Sequence, residues 1–256
     1  MSRKSDPKPL RGLDQVLSLF GNGTVVVMHS GFAEPIDLAH QLAKNAAALD
    51  GVEVYTMMPM GSAPYAGEAA ARHLSVHTFF PGKGLREAVN KGRAHIDKMP
   101  LSVIPKLFAQ GRIKAEILML QLSPPDAAGN MSFGISLDYM RAVLDQSPVV
   151  IAEINPRMPR TCGDTTVRED QVDYIFEADG EAGGAENRHE GGGLHPELGQ
   201  GGHHGEDHDG GEDDAAEELG QVLVQVALGE GLDDDLAQDC GHEAADDQNQ
   251  NGAADL

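Results

Sequence analysis

The chain changes character near Ala178, and that break limits what it can fold into. From Asp179 to Leu256 there are 22 acidic residues and a single basic one, Arg188, a net charge of −21. The whole chain has 41 acidic and 19 basic residues, which leaves 19 and 18 in residues 1–178 and a net of −1 there. The same tail holds 17 of the 31 glycines and 6 of the 11 histidines, with no lysine and no aromatic residue. A segment so charged and so poor in aromatics cannot bury enough apolar surface to offset the entropy of ordering its backbone. Residues 1–178 are therefore expected to form the globular domain, and their length is ample for a core. Residues 179–256 are expected to be a disordered, low-complexity acidic tail rich in glycine. Only Val222 to Leu228 has the composition of a structural element, and one such segment makes no core alone.

Within the first 178 residues, apolar runs alternate with helical patterns. Gly23 to Met28, Val52 to Met58, Leu74 to Phe80, Ile113 to Leu122, Val149 to Ile154 and Val172 to Phe176 read as strands, several of them β-branched and continuous enough to be buried on both faces. Gly12 to Phe20, the segment from Pro35 through Ala48, Gly84 to Ala94, Leu101 to Ala109 and Leu137 to Leu144 carry apolar residues at helical spacing. Pro35 suits a first helical turn. Strands alternating with helices predict an α/β fold, a mostly parallel sheet flanked by helices.

Composition also excludes function classes. A net charge of −22 argues against a nucleic-acid partner, because backbone contacts to nucleic acid need lysine and arginine. The apolar runs are too short to span a bilayer, so no membrane partner is expected. Cys162 and Cys240 lie far apart and form no metal-type pair; no disulfide framework is expected. Met1 to Pro9 has no apolar stretch of the kind that leads a chain to secretion. A cytoplasmic location is the expectation.

Chemistry is best sought at strand ends. Ser123-Pro124-Pro125-Asp126 follows the apolar run Ile117 to Leu122, and Gly129 and Ser132-Phe133-Gly134 come next. Open α/β sheets bind ligands at the carboxyl ends of their strands, although Pro, Asp and Gly also make ordinary turns. A second strand, Ile151 to Ile154, ends in Asn155-Pro156-Arg157-Met158-Pro159. Two such loops can line one crevice.

These blocks carry a resemblance to the acetyl-CoA hydrolase/transferase family, which includes acetate and 4-hydroxybutyrate CoA-transferases. Ser123 to Gly134 resembles the family's S-P-x-D-x-x-G-x-x-S-x-G block. Ala152 to Pro159 with Gly163-Asp164 resembles its A-E-x-N-x-x-M-P-x-x-x-G-D block. Val172 to Glu177, Gly31-Phe32-Ala33-Glu34-Pro35 and Phe79-Phe80-Pro81-Gly82 are similar to further parts of it, in order, over roughly residues 10–178. The resemblance implies an enzyme that moves CoA between an acyl-CoA thioester and a short-chain carboxylate, or water, through a glutamyl-CoA intermediate. Coenzyme A is then a substrate and no cofactor is implied. It places Ser123, Pro125, Asp126, Gly129, Asn155 and Met158 in the substrate crevice, with Asp126 holding its loop by accepting backbone N–H bonds.

Family members have two similar α/β halves, and this chain matches the first. By the resemblance, the attacking glutamate belongs to the second half, which should show a Gly-x-Gly-x-x-Pro loop and then that glutamate after a Gly-(Ile/Leu)-His-(Ser/Thr) strand; neither motif follows Ala178. No catalytic residue is therefore assigned, and the 256-residue chain is expected to be inactive alone. The tail residues are mostly those written by G- and C-rich codons, so residues 179–256 read as a frameshift product that replaces the second half. The other reading is a non-catalytic half-enzyme with a weakly metal-binding tail. His203-His204-Gly205-Glu206-Asp207-His208-Asp209 has donors for zinc or nickel, but no scaffold is visible to orient them, so no metal site is assigned. An exposed half-domain surface predicts self-association, as a homo-oligomer.

Several single residues have bland readings. Glu34 before Pro35 reads as a carboxylate favouring a helix N-terminus, Glu153 as ordering its neighbouring loop, and Glu68 as part of a helical start. His29 reads as a packed histidine. Lys83, Arg86, Lys91 and Arg93 read as a solvated basic helix face, because Gly82-Lys83-Gly84 lacks phosphate-loop spacing.

Overall fold

A computed structural model of the chain describes residues 6–146 and 149–176. The readings for residues 179–256, including the tail's disorder and its histidine cluster, lie outside the described residues. In order, the elements are β1 (Lys8–Leu10), a 3-10 segment (Leu13–Leu19), β2 (Val25–Met28), α1 (Ile36–Lys44), β3 (Val52–Thr56), β4 (Leu74–Thr78), α2 (Lys83–Asn90), β5 (Ala94–Ile96), α3 (Ile104–Ala109), β6 (Ile117–Leu122), β7 (Asn130–Ser132), α4 (Met140–Leu144), β8 (Val149–Ile154), β9 (Thr166–Arg168) and β10 (Tyr174–Phe176).

Eight strands form one sheet in the order β1-β10-β8-β6-β2-β3-β4-β5, and every neighbouring pair is parallel. The remaining pair, β7 and β9, is a small antiparallel ribbon. The α/β fold with a mostly parallel sheet is thus as expected. From β2 the chain steps through β3 and β4 to β5 at one edge. It then returns to β6 on the other side of β2 and steps through β8 to β10. The reversal lies between β2 and β6, where open α/β sheets place their ligand crevice.

Both sheet faces are covered, as parallel strands require. Alternation along each strand divides the core. Val26, Met28, Ile117 and Met119 pack with Leu38 and Leu42 of α1 and Leu85 of α2. Val27, Leu118, Leu120 and Leu122 pack on the opposite face with Ile104 and Phe108 of α3 and Met140 and Val143 of α4. All six residues of β6 are buried, which explains why it reads as a continuous apolar run.

Boundaries differ from the sequence reading where side chains take over backbone partners. β10 starts at Tyr174 rather than Val172, because the Asp173 carboxylate accepts the Val150 N–H at 2.9 Å at that end. β5 replaces the end of the expected helix over 84–94. Glycine at position 92, at φ 69, ends the turn after α2 and sends Ala94 into the sheet edge. β1, β7 and β9 are three residues each, too short to show a period. β1 tolerates Pro9 because it is an edge strand. Among the described residues, no helix is long and apolar enough to cross a membrane.

Leu120, fully buried in the second core, should be sensitive to truncation. Leu120→Ala should cost about 2–5 kcal/mol in chemical denaturation. Leu101→Ala, at a side chain 53% exposed, should change stability by about 0.5 kcal/mol or less.

Candidate active-site crevice

The carboxyl ends of β2, β6 and β8 are joined by a buried polar network. Gln121 lies in the last part of β6, beside Glu153 of β8 in the ladder register. Its amide nitrogen donates to Glu153 Oε1 at 3.2 Å and to the Glu34 carbonyl at 3.2 Å. Its amide oxygen accepts from Asn155 Nδ2 at 3.1 Å. Glu153 Oε2 in turn accepts the backbone N–H groups of Asp37 at 2.9 Å and Leu38 at 3.1 Å, the first turn of α1. A carboxylate there is favoured by the unpaired amides and the helix dipole. Burial nevertheless dominates, with the Asp37 carboxylate adding to it, and together they push the Glu153 carboxyl up to about 7.

Glu34 and Glu153 have exchanged the roles expected of them. Glu153 caps α1, whereas Glu34 holds the loop after β3. Glu34 Oε2 accepts the N–H of residue Gly61 at 2.8 Å, and Oε1 accepts the Tyr65 hydroxyl at 3.2 Å. Burial raises the Glu34 pKa above its ordinary value, and the two donors oppose that rise. The same loop presses on α2: a Cβ at Gly84 would collide with the Gly61 carbonyl.

His29 follows β2 at the chain reversal and is fully buried. Its Nε2 lies 2.6 Å from the Ser136 carbonyl, and the Gln121 N–H reaches its Nδ1 at 3.3 Å. Burial lowers its pKa, which fits a neutral ring protonated on Nε2. It is a packed histidine, as expected. Ser30 donates its hydroxyl to Asp138. The segment 134–138 therefore covers the reversal between β2 and β6.

The two motif blocks build the adjoining wall. Asp126 Oδ1 accepts the N–H groups of Ala128 at 2.9 Å and Asn130 at 2.8 Å. Those bonds, the Asn130 amide first, hold its pKa below the ordinary carboxylate value. Ser123 is buried, and its Oγ accepts the Ser132 N–H at 2.9 Å. Ser132 Oγ accepts the N–H of residue Gly134 at 3.1 Å. Gly134, at φ 67, packs so closely on Met158 that a Cβ there would overlap its sulfur. Asn155 Oδ1 accepts the Arg157 N–H at 2.9 Å, and Arg160 Nη2 reaches the Asn130 carbonyl at 2.9 Å. The β7–β9 ribbon ties the blocks together, with Asn130 opposite Arg168 and Ser132 opposite Thr166.

Of the six residues expected in the crevice, Ser123 and Met158 are buried and Asn155 and Gly129 are half-buried, whereas Pro125 and Asp126 are exposed. All six lie in the loops leaving β6 and β8. Gln121, which joins those loops to α1, was not singled out by the sequence. Its one signal is a lone amide inside the apolar run Ile117 to Leu122. Also unforeseen are Met60, Phe80 and Leu101, the exposed large apolar side chains among the described residues. They follow β3, β4 and β5, three adjacent strands, at the carboxyl edge of the sheet. The expected basic face is partly paired: Lys91 Nζ lies 2.7 Å from Glu87, and Arg93 lies 3.4 Å from the same carboxylate. Glu68 pairs with Arg72 at 3.2 Å on the surface. Among the described residues, no three histidine, cysteine or carboxylate side chains group to hold a metal.

A linkage prediction follows for Glu153. Its folded pKa, about 7, lies above the ordinary 4.5. The folded state thus binds the proton more tightly, and stability from this group falls as pH rises from about 4.5 to 7. The shift corresponds to roughly 3 kcal/mol. In denaturation series from pH 4.5 to 8, Glu153→Gln should remove that part of the slope. An unchanged slope would show that Glu153 ionises freely in the fold.

Comparison with known proteins places this architecture. The model of the acetyl-CoA hydrolase/transferase N-terminal domain matches residues 3–182. Over 165 residues the chain is 36% identical to the 4-hydroxybutyrate coenzyme A transferase of Clostridium kluyveri, covering 64% of this chain and 38% of that protein. It is 27% identical over 161 residues to the succinyl-CoA:acetate/propanoyl-CoA:succinate CoA transferase of Fasciola hepatica, covering 63% of this chain and 34% of that one. The crystal structure of a 4-hydroxybutyrate CoA-transferase from Porphyromonas gingivalis superposes with a TM-score of 0.55 at 24% identity, over 67% of this chain and 39% of the other. RipA from Yersinia pestis gives a TM-score of 0.60 at 22% identity, over 66% and 42%. The two structural likenesses establish the shared fold. The chain spans less than half the length of each of these relatives.

Proposed function

The chain belongs to the acetyl-CoA hydrolase/transferase family through its N-terminal domain, and from that premise we propose that it serves the movement of CoA between an acyl-CoA thioester and a short-chain carboxylate, or water. The observation that carries this reading is the convergence of the two motif loops, after β6 and β8, beside the reversal at which such sheets bind ligands.

In this reading the described domain supplies the wall of the crevice. Pro125 and Asp126 present its exposed surface. Ser123, Gly129, Asn155 and Met158 hold the loops behind it, through the bonds to Ser132 and Gln121 and the packing on Gly134. Met60 and Phe80, at the rim beyond β3 and β4, offer apolar surface to an acyl chain or a thioester arm. The nucleophile is a glutamate outside residues 1–178. It attacks the thioester, and the glutamyl-CoA intermediate passes CoA to the acceptor. Splitting the transfer this way is covalent catalysis by a carboxylate, and backbone donors in glycine-rich loops would stabilise the oxyanion. Coenzyme A enters as substrate.

The division of labour is tested with the 256-residue chain, acetyl-CoA and a short-chain carboxylate. The expected outcome is binding of acetyl-CoA by calorimetry without formation of a new acyl-CoA. Asn155→Ala, which frees the loop from Gln121 and Arg157, should weaken that binding about fivefold. Measurable CoA transfer by this chain would show that the attacking group lies within it, and absence of binding would remove the crevice reading.

A further inference from the structure

Away from the crevice, the β3–β4–β5 end of the sheet carries half-buried polar side chains on the face that α3 and α4 cover elsewhere. Ser75 and His77 stand two residues apart on β4, so both project from this face. Asp97 follows the last residue of β5, the strand paired with β4. His77 Nδ1 lies 3.1 Å from Asp97 Oδ2, and His77 Nε2 lies 3.2 Å from Ser75 Oγ. The Tyr55 ring stacks on His77 at 4.7 Å between centroids and 11° between planes, which fixes the imidazole in its plane. The His77 side chain is 21% exposed and Asp97 37%, so reagents reach the cluster.

We propose that Ser75, His77 and Asp97 form an activated-serine site whose hydroxyl is acylated by activated acyl esters and thioesters. The order of partners is that of a serine–histidine–aspartate relay, which is recognised by geometry rather than by position in the chain. Asp97 accepts a hydrogen bond from Nδ1–H and so holds the tautomer with a free lone pair on Nε2, and that lone pair faces the Ser75 hydroxyl. Ser75 Oγ attacks the acyl carbon as its proton moves to Nε2. The tetrahedral adduct then collapses, the bond to the leaving alcohol or thiol breaks, and Nε2 returns the proton to it. The products are O-acyl-Ser75 and the free alcohol or thiol, with no change of oxidation state.

Ser75 is the second residue of β4, His77 the next to last, and Asp97 follows the carboxyl end of β5; the proposal does not depend on the CoA-transfer reading. Its surroundings also set what it can do. Backbone N–H groups of a ladder lie in the plane of the sheet, whereas Ser75 projects from it. Among the described residues no oxyanion hole is aimed at the adduct, which slows acylation and hydrolysis alike. An activated ester or thioester expels a better leaving group than the Ser75 alkoxide, so acylation outruns hydrolysis and the acyl-serine should accumulate. The site is one of self-modification, with a limit of one acyl group per chain.

The full chain is treated with p-nitrophenyl acetate and, separately, with acetyl-CoA. Release of p-nitrophenolate is followed and the Ser75 peptide is read by mass spectrometry. Acetyl on Ser75 with a burst approaching one equivalent is expected. Ser75→Ala should abolish that burst, and His77→Gln should slow it about a hundredfold, the scale of a lost general base. Asp97→Asn, a change at a partly exposed side chain that should leave melting unaltered, should slow it about tenfold or more through the wrong tautomer. An unmodified Ser75, a burst that persists in Ser75→Ala, or equal rates in the parent and Asp97→Asn would overturn the proposal.

Discussion

The structure turns on one buried joint, the Glu153 carboxylate on the first turn of α1. β8 and α1 belong to the two wings of the sheet that diverge at the β6–β2 reversal. Glu153 spans that reversal, and Gln121 of β6 fills the space between. Two amide donors and a helix N-terminus would ordinarily hold a carboxyl ionised with a low pKa. Here desolvation, with the Asp37 carboxylate beside it, outweighs them and leaves the carboxyl up near 7. The joint is therefore maintained against a standing cost. Its geometry is what ties the loop after β8 to the helix after β2.

From that joint the crevice wall follows by successive satisfaction of backbone groups. Gln121 passes the network to Asn155, whose side chain holds the start of the next loop at Arg157. Ser123 and Ser132 do the same for the loop after β6, and the β7–β9 ribbon locks the two loops to each other. Most of the distinctive motif residues thus bond to the protein's own backbone. Those bonds fix where Pro125 and Asp126 stand, so the loops present a shaped surface rather than a set of free polar side chains.

Strand-scale features were legible in the sequence because they depend on local pattern. β6 is buried on both faces and reads as unbroken apolar residues, and α1 and α3 show their spacing. Partner-scale features were not. Glu34 precedes a helix and Glu153 ends a strand, so propensity assigns the cap to Glu34. Only the strand order brings Glu153 to α1, 116 residues away along the chain, and turns Glu34 to the loop at Gly61. Gln121 was hidden for the same reason, since its worth lies in three neighbours from other elements. The three-residue strands β1, β5, β7 and β9 carry too few positions for any period to appear. The motif loops could be recognised in sequence, but that they are joined by a ribbon could not.

The reversal between β2 and β6 is where an open sheet has room for a ligand, yet here the chain's own segment 134–138 lies across it, held by His29 and Ser30. That closure depends on Gly134, whose positive φ and close contact with Met158 leave no space for a side chain. With the reversal covered, what remains open at the carboxyl edge is the rim beyond it. There the motif loops meet solvent on one side, and Met60 and Phe80 on the other, the latter two 36% and 38% exposed. Large apolar side chains left at a loop edge cost hydration free energy unless something apolar covers them. The same covering that closes the polar end therefore leaves the open surface at a rim that is apolar toward β3 and β4 and polar toward β6 and β8.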